Sequence, residues 1–336
     1  MSCEVGSEIK VSICVITYNH ESYIEECLNS LVSQKTEFPF EIVIRDDNST
    51  DETCRILKQY ADDYPQLITL LDSEVNLGMN KNLRAVINAT KGEYVAFCEG
   101  DDFWCDDKKI QYQYEVANEN REIDFFVHGC HLVNGVSERL RQSKGRFFGG
   151  NERVKFGCMN ILSYAGQFAP TSSYFINNSV LRSLPTWLDD APIADFFLEL
   201  YAARHNGGVY LPKIMSCYRV ESIGSWSDKM KNTSPQDKIE YADRMIFAIE
   251  KMQADFPNYK SNFNRKINAF NFIASLSYLK LGNVASFKKR IIPLDNLYIS
   301  KYHKLMVLLK DIPLGPSIAC KIYELLKKIQ LHFDKI

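Results

Sequence analysis

Between Val11 and Asn120 the chain repeats one arrangement four times: a short apolar run, a polar turn, then residues spaced for an amphipathic helix. These strand-length runs fall at 11–16, 41–45, 67–71 and 94–98, the second apolar between the charged ends Glu41 and Arg45. Nearly unbroken apolar runs of strand length suit strands covered on both faces, as in a parallel sheet. The first helical pattern puts Tyr23, Ile24, Cys27, Leu28, Leu31 and Val32 on one face, and the second does the same for Cys54, Ile56, Leu57, Tyr60 and Ala61. Ser49 followed by Glu52 reads as a capping box and predicts a helix over 50–64. Lys91-Gly92 closes a helix over 80–90, and a fourth is expected over 106–120. Short links between alternating elements predict an α/β fold, a doubly wound, mostly parallel sheet with right-handed crossovers.

Ligands of such sheets bind beyond the C-terminal ends of the strands. Those ends are polar here: Thr17-Tyr18-Asn19, Asp46-Asp47-Asn48 and Glu99-Gly100-Asp101-Asp102. Three carboxylates within four residues repel one another, and a divalent cation relieves the conflict. Hard oxygen ligands suit Mg²⁺ or Mn²⁺, with phosphate oxygens completing the shell. The competing reading is an acidic turn that caps the next helix. Gly100 lets the chain turn sharply off its strand. The first turn, T-Y-N-H-E-S, lacks the G-x-G-x-x-G of dinucleotide binding, and there is no Walker loop. Phosphate is therefore expected on a metal rather than in a glycine cradle. A nucleotidyltransferase on a similar sheet needs a glycine- and lysine-rich first loop, which is missing.

A net charge of −2 argues against nucleic acid as a partner. The ten cysteines form no C-x-x-C pair and read as buried, reduced thiols of a cytoplasmic protein. The first ten residues lack the apolar core of a signal peptide, and there is no run of about 20 apolar residues.

Beyond a further strand at 124–133, residues 134–170 read as a basic, glycine-containing loop. A strand is expected at 170–177, a helix over 189–206 with Pro192 in its first turn, and short strands at 209–211 and 215–220. From 234 the pattern is helical: 236–256, 258–281, 284–291, and 301–333 broken at Pro313 and Pro316. Two domains follow, 1–230 and a helical appendage at 231–336. The stretch 282–336 is rich in lysine and arginine, and Lys304 and Lys310 flank an apolar run at 305–309. Such a basic amphipathic tail can lie on an anionic membrane; a solvated face of a packed helical cap reads equally well.

Taken together, the pieces resemble family 2 glycosyltransferases of the GT-A fold, especially enzymes of bacterial capsule, O-antigen and related surface-polysaccharide assembly. The matching segments are V-S-I-C-V-I-T-Y-N-H at 11–20, I-V-I-R-D-D-N-S-T-D-E-T at 42–53, N-L-G-M-N-K-N at 76–82, K-G-E-Y-V-A-F-C-E-G-D-D-F-W at 91–104 and Y-R-V at 218–220. The likeness covers about residues 9–226, and the C-terminal hundred residues lie outside it.

The resemblance implies inverting transfer of a sugar from a nucleotide-diphosphate donor, a UDP-sugar favoured, to a hydroxyl of a glycan or lipid-linked acceptor, with Mn²⁺ or Mg²⁺ as cofactor. Carried over, Thr17, Tyr18, Asn19 and Asn82 bind the nucleotide, and Asp46 accepts a hydrogen bond from the uracil ring. Asp46 alternatively caps a helix, a task Ser49 is expected to fill. The D-x-D signature falls on Glu99-Gly100-Asp101, with Glu in place of the usual first Asp. Asp101 is then the metal ligand, and Glu99 and Asp102 support the metal or the sugar. Asp195 in I-A-D-F-F-L-E-L matches the general base, with Asp189 and Asp190 as the fallback. Its place at a helix N-terminus favours the ionised form. Relatives often carry a histidine after Y-R-V; Glu221 stands there, so diphosphate contact passes to Arg219 or Ser225. Trp104 and Trp226 offer faces on which a sugar can stack. The alternative is a non-catalytic nucleotide-sugar or glycan-binding module that supports a partner transferase.

Overall fold

The computed structural model describes residues 8–144, 151–164, 166–220, 222, 233–312, 315, 318 and 321. Packing divides the chain into two compact units, 1–229 and 230–336.

The first unit begins with the expected alternation: β1 (Val11–Thr17), α1 (Ile24–Val32), β2 (Phe40–Asp46), α2 (Thr53–Asp63), β3 (Ile68–Leu70), α3 (Met79–Ala89) and β4 (Tyr94–Glu99). Strands β3, β2, β1 and β4 lie side by side and parallel, Val11 opposite both Phe40 and Tyr94. Val11, Ile13, Val15, Ile42, Ile44, Tyr94 and Ala96 are buried, and α1 covers them with Ile24, Cys27, Leu28 and Leu31. Local periodicity and burial agree, so this α/β core, with its mostly parallel central sheet, was readable from sequence.

The second half of the sheet is different. It comprises β5 (Phe103–Trp104), β6 (Phe125–Val133), β7 (Arg139–Lys144), β8 (Val154–Phe156), β9 (Phe175–Asn177) and β10 (Gly208–Arg219). The helices between them are α4 (Lys109–Glu119), α5 (Cys158–Ser163), α6 (Asn178–Arg182) and α7 (Asp195–Ala202). Three-residue β9 inserts antiparallel between β4 and β6, β10 lies parallel to β6, and β5 closes the row antiparallel to β10.

Several expectations need correction. The two short strands at 209–211 and 215–220 are one strand, whose register slips near Pro212 and Lys213. Pro212 cannot donate to a ladder, and such an irregularity accommodates it. Part of the basic loop is strand: β7 folds back on β6. The Asn134 side chain makes the turn by accepting the Val136 and Glu138 N–H groups at 3.1 and 2.9 Å. Ser49 does not cap α2; the helix starts at Thr53, whose N–H goes to Asp51 at 3.0 Å. Among the eight described cysteines, all unbridged, Cys105 is exposed rather than buried.

Beneath β5 lies a buried lysine. Lys109 sits 3.8 Å over the Trp104 ring and donates to Gln113 Oε1 at 2.8 Å. Burial pulls its pKa down from 10.5 to about 7. Between those values the unfolded chain binds the proton and the fold does not, so stability rises with pH from about 7 to 10.5. Lys109→Met is expected to flatten that rise, as read from urea midpoints at several pH values across the window. A variant keeping the wild-type slope contradicts this assignment.

The second unit contains α8 (Pro235–Gln253), α9 (Lys260–Lys280), α10 (Val284–Arg290) and α11 (Lys301–Leu309). Ser234 and Asp237 form a capping box at the start of α8, with Pro235 in its first turn. Asn268 pins the turn before α11 by donating to the carbonyls of Leu294 and Leu297 at 3.1 and 3.0 Å. His303 is buried and joins α11 to Ile291 O at 2.7 Å. The described part of α11 ends before Pro313, and the rest of the expected 301–333 helix falls largely outside the described residues. Among the described residues no helix is long and apolar enough to cross a membrane.

Candidate active site

The three polar strand ends meet at one edge of the sheet. The first two are laced together. The Asn19 N–H donates to Ser49 Oγ at 2.8 Å, and Asn19 Oδ1 accepts the Thr50 N–H at 2.8 Å. His20 and Glu21 donate backbone N–H groups to Thr53 and Asp51 at 2.9 and 3.0 Å. Asn19 and Asn48 have φ of 57° and 63°, a left-handed backbone that asparagine tolerates. Buried Asp46 accepts both the N–H of Ser49, at 2.8 Å, and its hydroxyl. The capping roles are therefore the reverse of those expected: Asp46 organises the turn and Ser49 is held by it. Thr17 is buried, while Tyr18 is 38% exposed at the edge.

Next to this pair hangs the N-L-G turn. Asp47 accepts the N–H groups of Leu77 and Gly78 at 2.8 and 2.9 Å. Buried Arg45 holds Asp47 at 3.1 Å, Asn82 Oδ1 at 2.8 Å, and the carbonyls of Asp72 and Val75 at 3.1 and 3.2 Å. Asn82 also donates back to Arg45 O at 3.3 Å. The structure thus makes Asn82 a buried strut beneath the loop, where sequence reading put it against a nucleotide. Arg45 went unremarked because a charge at a strand end gives no local sign of burial.

The third strand end is the acidic turn. Gly100 is needed for close packing: a Cβ there would lie 2.5 Å from Thr17 Oγ1. Asp102 is buried and accepts the Arg219 N–H at 2.9 Å. Asp101 is partly exposed, and its Oδ2 accepts the Ser222 hydroxyl at 2.7 Å. The Arg219 guanidinium reaches Asp101 O at 2.9 Å, Asn134 O at 3.0 Å, Ser137 Oγ at 3.1 Å and Glu26 Oε2 at 2.6 Å. It also packs 4.6 Å from the Tyr23 ring centre. Arg219 is accordingly a buried clamp on the acidic turn, and the expected diphosphate contact is not how its side chain is placed. Trp104 is buried in the core under Lys109, so it presents no face to a sugar. Trp226, Glu221 and Ser225 lie outside the described residues.

Across from the turn, Asp195 is the first residue of α7. A small cleft is lined by Glu99 and Asp195 together, with Ile16, Met79, Leu83, Phe97, Thr171 and Leu198. Tyr218 was missed by sequence reading except as part of a motif. Its phenol is pushed up from 10.0 by burial and by the charges of Glu99, Asp102, Asp101 and Asp195, so all four carboxylates act on one hydroxyl. Asp189 and Asp190 are instead engaged with Arg84 at 2.9 Å and Lys81 at 3.0 Å.

Glu199, one turn along α7, is fully buried and was also missed. It accepts the N–H groups of Phe168 and Ala169 at 3.2 and 2.8 Å and the Tyr174 hydroxyl at 2.7 Å. The available signal was a lone acid inside the apolar helix F-F-L-E-L. Burial first, then the Asp195 charge, raises its pKa from 4.5 to about 8 against the pull of those hydrogen bonds. Between the two values the fold binds the proton and the unfolded chain does not. Stability is therefore full below about 4.5 and is lost as pH rises to about 8. Glu199→Gln keeps the acceptor and removes the charge, so thermal melts of the variant are expected to lose that fall. An unchanged pH profile contradicts it.

Among the described residues no three His, Cys, Asp or Glu side chains form a ready metal cluster. The acidic turn still fits a Mg²⁺-type ion, which commonly takes one or two carboxylates and leaves the rest of its shell to substrate phosphates and water. Asp101 and Glu99 are the partly exposed carboxylates of that turn that would hold it, and Asp102 braces the turn through Arg219.

Comparison with known proteins bears on the fold and the family. Residues 12–176 match the model of glycosyl transferase family 2, and this segment of the chain belongs to that family. An uncharacterized protein of Mycobacterium tuberculosis is 33% identical over 220 residues, 64% of this chain and 60% of that protein. TarS of Staphylococcus aureus, a poly(ribitol-phosphate) beta-N-acetylglucosaminyltransferase, is 39% identical over 98 residues, 28% of this chain and 17% of its own length. The crystal structure of S. aureus TarS 1–349 in complex with UDP-GlcNAc shares the fold with a TM-score of 0.64 at 20% identity, over 94% of this chain and 92% of that one. The mannosyltransferase PcManGT from Pyrobaculum calidifontis, solved with GDP-Man and Mn²⁺, gives a TM-score of 0.53 at 17% identity, over 98% and 91% of the two chains. The fold is thus GT-A, with a helical C-terminal region.

Proposed function

We propose that the chain transfers a sugar, with inversion, from a UDP-sugar to a hydroxyl of a glycan or lipid-linked acceptor in surface-polysaccharide assembly. The observation that carries the reading is that Glu99 of the acidic turn and Asp195 of α7 line one cleft. The UDP-GlcNAc of the TarS structure and the GDP-Man of the PcManGT structure support a nucleotide-sugar donor from outside.

In this reading the nucleoside sits at Tyr18 and at the turns held by Asp46 and Asp47. Asp101, with Glu99, holds a divalent cation, Mn²⁺ or Mg²⁺, which supplies positive charge against the leaving diphosphate. Asp195 takes the proton of the acceptor hydroxyl as its oxygen attacks the anomeric carbon. The bond from that carbon to the diphosphate oxygen breaks, and its electron pair leaves with UDP. Tyr218, kept protonated among carboxylates, can donate to a sugar or phosphate oxygen. The place of action is the cytoplasmic side of the membrane. The basic C-terminal helices touch anionic lipid there, and deletion of 300–336 is expected to abolish sedimentation with anionic liposomes.

The direct test is UDP release from a panel of UDP-sugars with and without Mn²⁺. Metal-dependent turnover of at least one donor is expected. UDP binding with no turnover of any donor, unaffected by Asp195→Ala, favours a non-catalytic binding module instead.

A further inference from the structure

We infer that Asn80 is a positioning residue for the transfer: from the second position of α3 it fixes the chain that leads into α7, and so sets where Asp195 meets the acceptor hydroxyl. The inference rests on the base assignment above and deepens it.

Asn80 is buried, and its amide nitrogen gives both hydrogens to one short stretch of chain, donating to Leu188 O at 3.0 Å and to Ala191 O at 2.7 Å. Only Pro192, Ile193 and Ala194 separate Ala191 from Asp195, the first residue of α7. Proline fixes one backbone angle of that link. Little play is therefore left between the bond at Ala191 and the carboxylate at 195.

The rest of α3 shares the task. Arg84 donates to Leu184 O and Pro185 O at 3.1 and 2.9 Å and pairs with Asp189 at 2.9 Å. Met79 and Leu83 line the small cleft together with Asp195 and Leu198. At its other end α3 follows the N-L-G turn, where Asp47 accepts the Leu77 and Gly78 N–H groups. One helix thus runs from the nucleoside edge of the site to the lead-in of the base. Asn80 is its direct bond to that lead-in. A general base works only within hydrogen-bond reach of the proton it takes. A misplacement of about 1 Å, caused far from the chemistry, can cost about a hundred-fold in rate.

The test is a double-mutant cycle on UDP release by the full chain with Mn²⁺. The donor is whichever of UDP-glucose, UDP-galactose and UDP-N-acetylglucosamine is broken down fastest. Rates are counted per UDP-binding site, as titrated by calorimetry, so that unfolded chains do not enter. Asn80→Ala removes both donors; Asn80→Asp keeps the shape and sets a carboxylate against two carbonyls. Each is expected to lower kcat by at least about thirty-fold with donor KM within a few-fold. In the Asp195→Asn background the same changes are expected to cost less than about three-fold, because a residue that acts through the base has nothing left to position. A residue that serves the fold alone lowers both backgrounds equally. An equal loss in the two backgrounds, or no loss from either variant, overturns the inference and leaves Asp195 as the base. Failure of both variants to bind UDP makes Asn80 a residue of the fold and overturns it as well. If Asp195→Asn alone costs less than about ten-fold, the base assignment falls and the inference with it.

Discussion

Asp195→Asn is expected to lower kcat by about a thousand-fold while leaving donor KM within a few-fold, since general-base assistance contributes roughly 10²–10⁴ to rate. Asparagine keeps the size and start position in α7 but cannot take the acceptor's proton. The substitution leaves Glu199 and its three hydrogen bonds in place, so the fold is expected to survive. Circular dichroism and UDP affinity verify that. If kcat falls less than about ten-fold, Asp195 is not the base. Asp189 and Asp190 then return to consideration despite their pairing with Arg84 and Lys81.

Arg219→Met is expected to cost about 2–4 kcal/mol, because the Asp101 and Asn134 carbonyls lose a buried charged donor. The same change loosens the acidic turn at its centre. The Mn²⁺ concentration for half-maximal activity is therefore expected to rise by about ten- to a hundred-fold, the usual effect of removing support behind a metal ligand. Arg219→Lys is expected to restore part of the stability and little of the metal affinity, since one ammonium cannot span four acceptors on three segments. A clamp acts through Asp101, so KM for the nucleotide at saturating metal is expected to move little. If that KM rises instead while metal dependence is unchanged, Arg219 touches the diphosphate as the sequence reading had it.

What the sequence disclosed was local. Four apolar runs and four helical faces lie within a few residues of their observed places, because each is set by spacing that neighbouring residues carry. The insertion of β9, the two-residue β5 and the return of β7 onto β6 depend on partners far along the chain, and no local signal marks them. The site divides the same way. The turn acids and the acid opening α7 stand out by their setting. Asn82, Arg219 and Trp104 are buried in the fold, and in sequence a polar or aromatic residue beside a motif looks alike whether it faces the ligand or props the loop. Burial decides between the two, and burial is a property of the packed chain. Glu199 and Tyr218 escaped for the converse reason: their neighbours are apolar or ordinary, and only the fold sets them near Asp195.

The measurement closest to the central claim is a crystal structure of Asp195→Asn with a UDP-sugar and Mn²⁺. The expected result places the metal and diphosphate at Asp101, the base near Tyr18, and the anomeric carbon in the cleft between Glu99 and residue 195. A nucleotide bound away from the acidic turn, or a sugar that leaves residue 195 on the far side of a closed wall, contradicts the account.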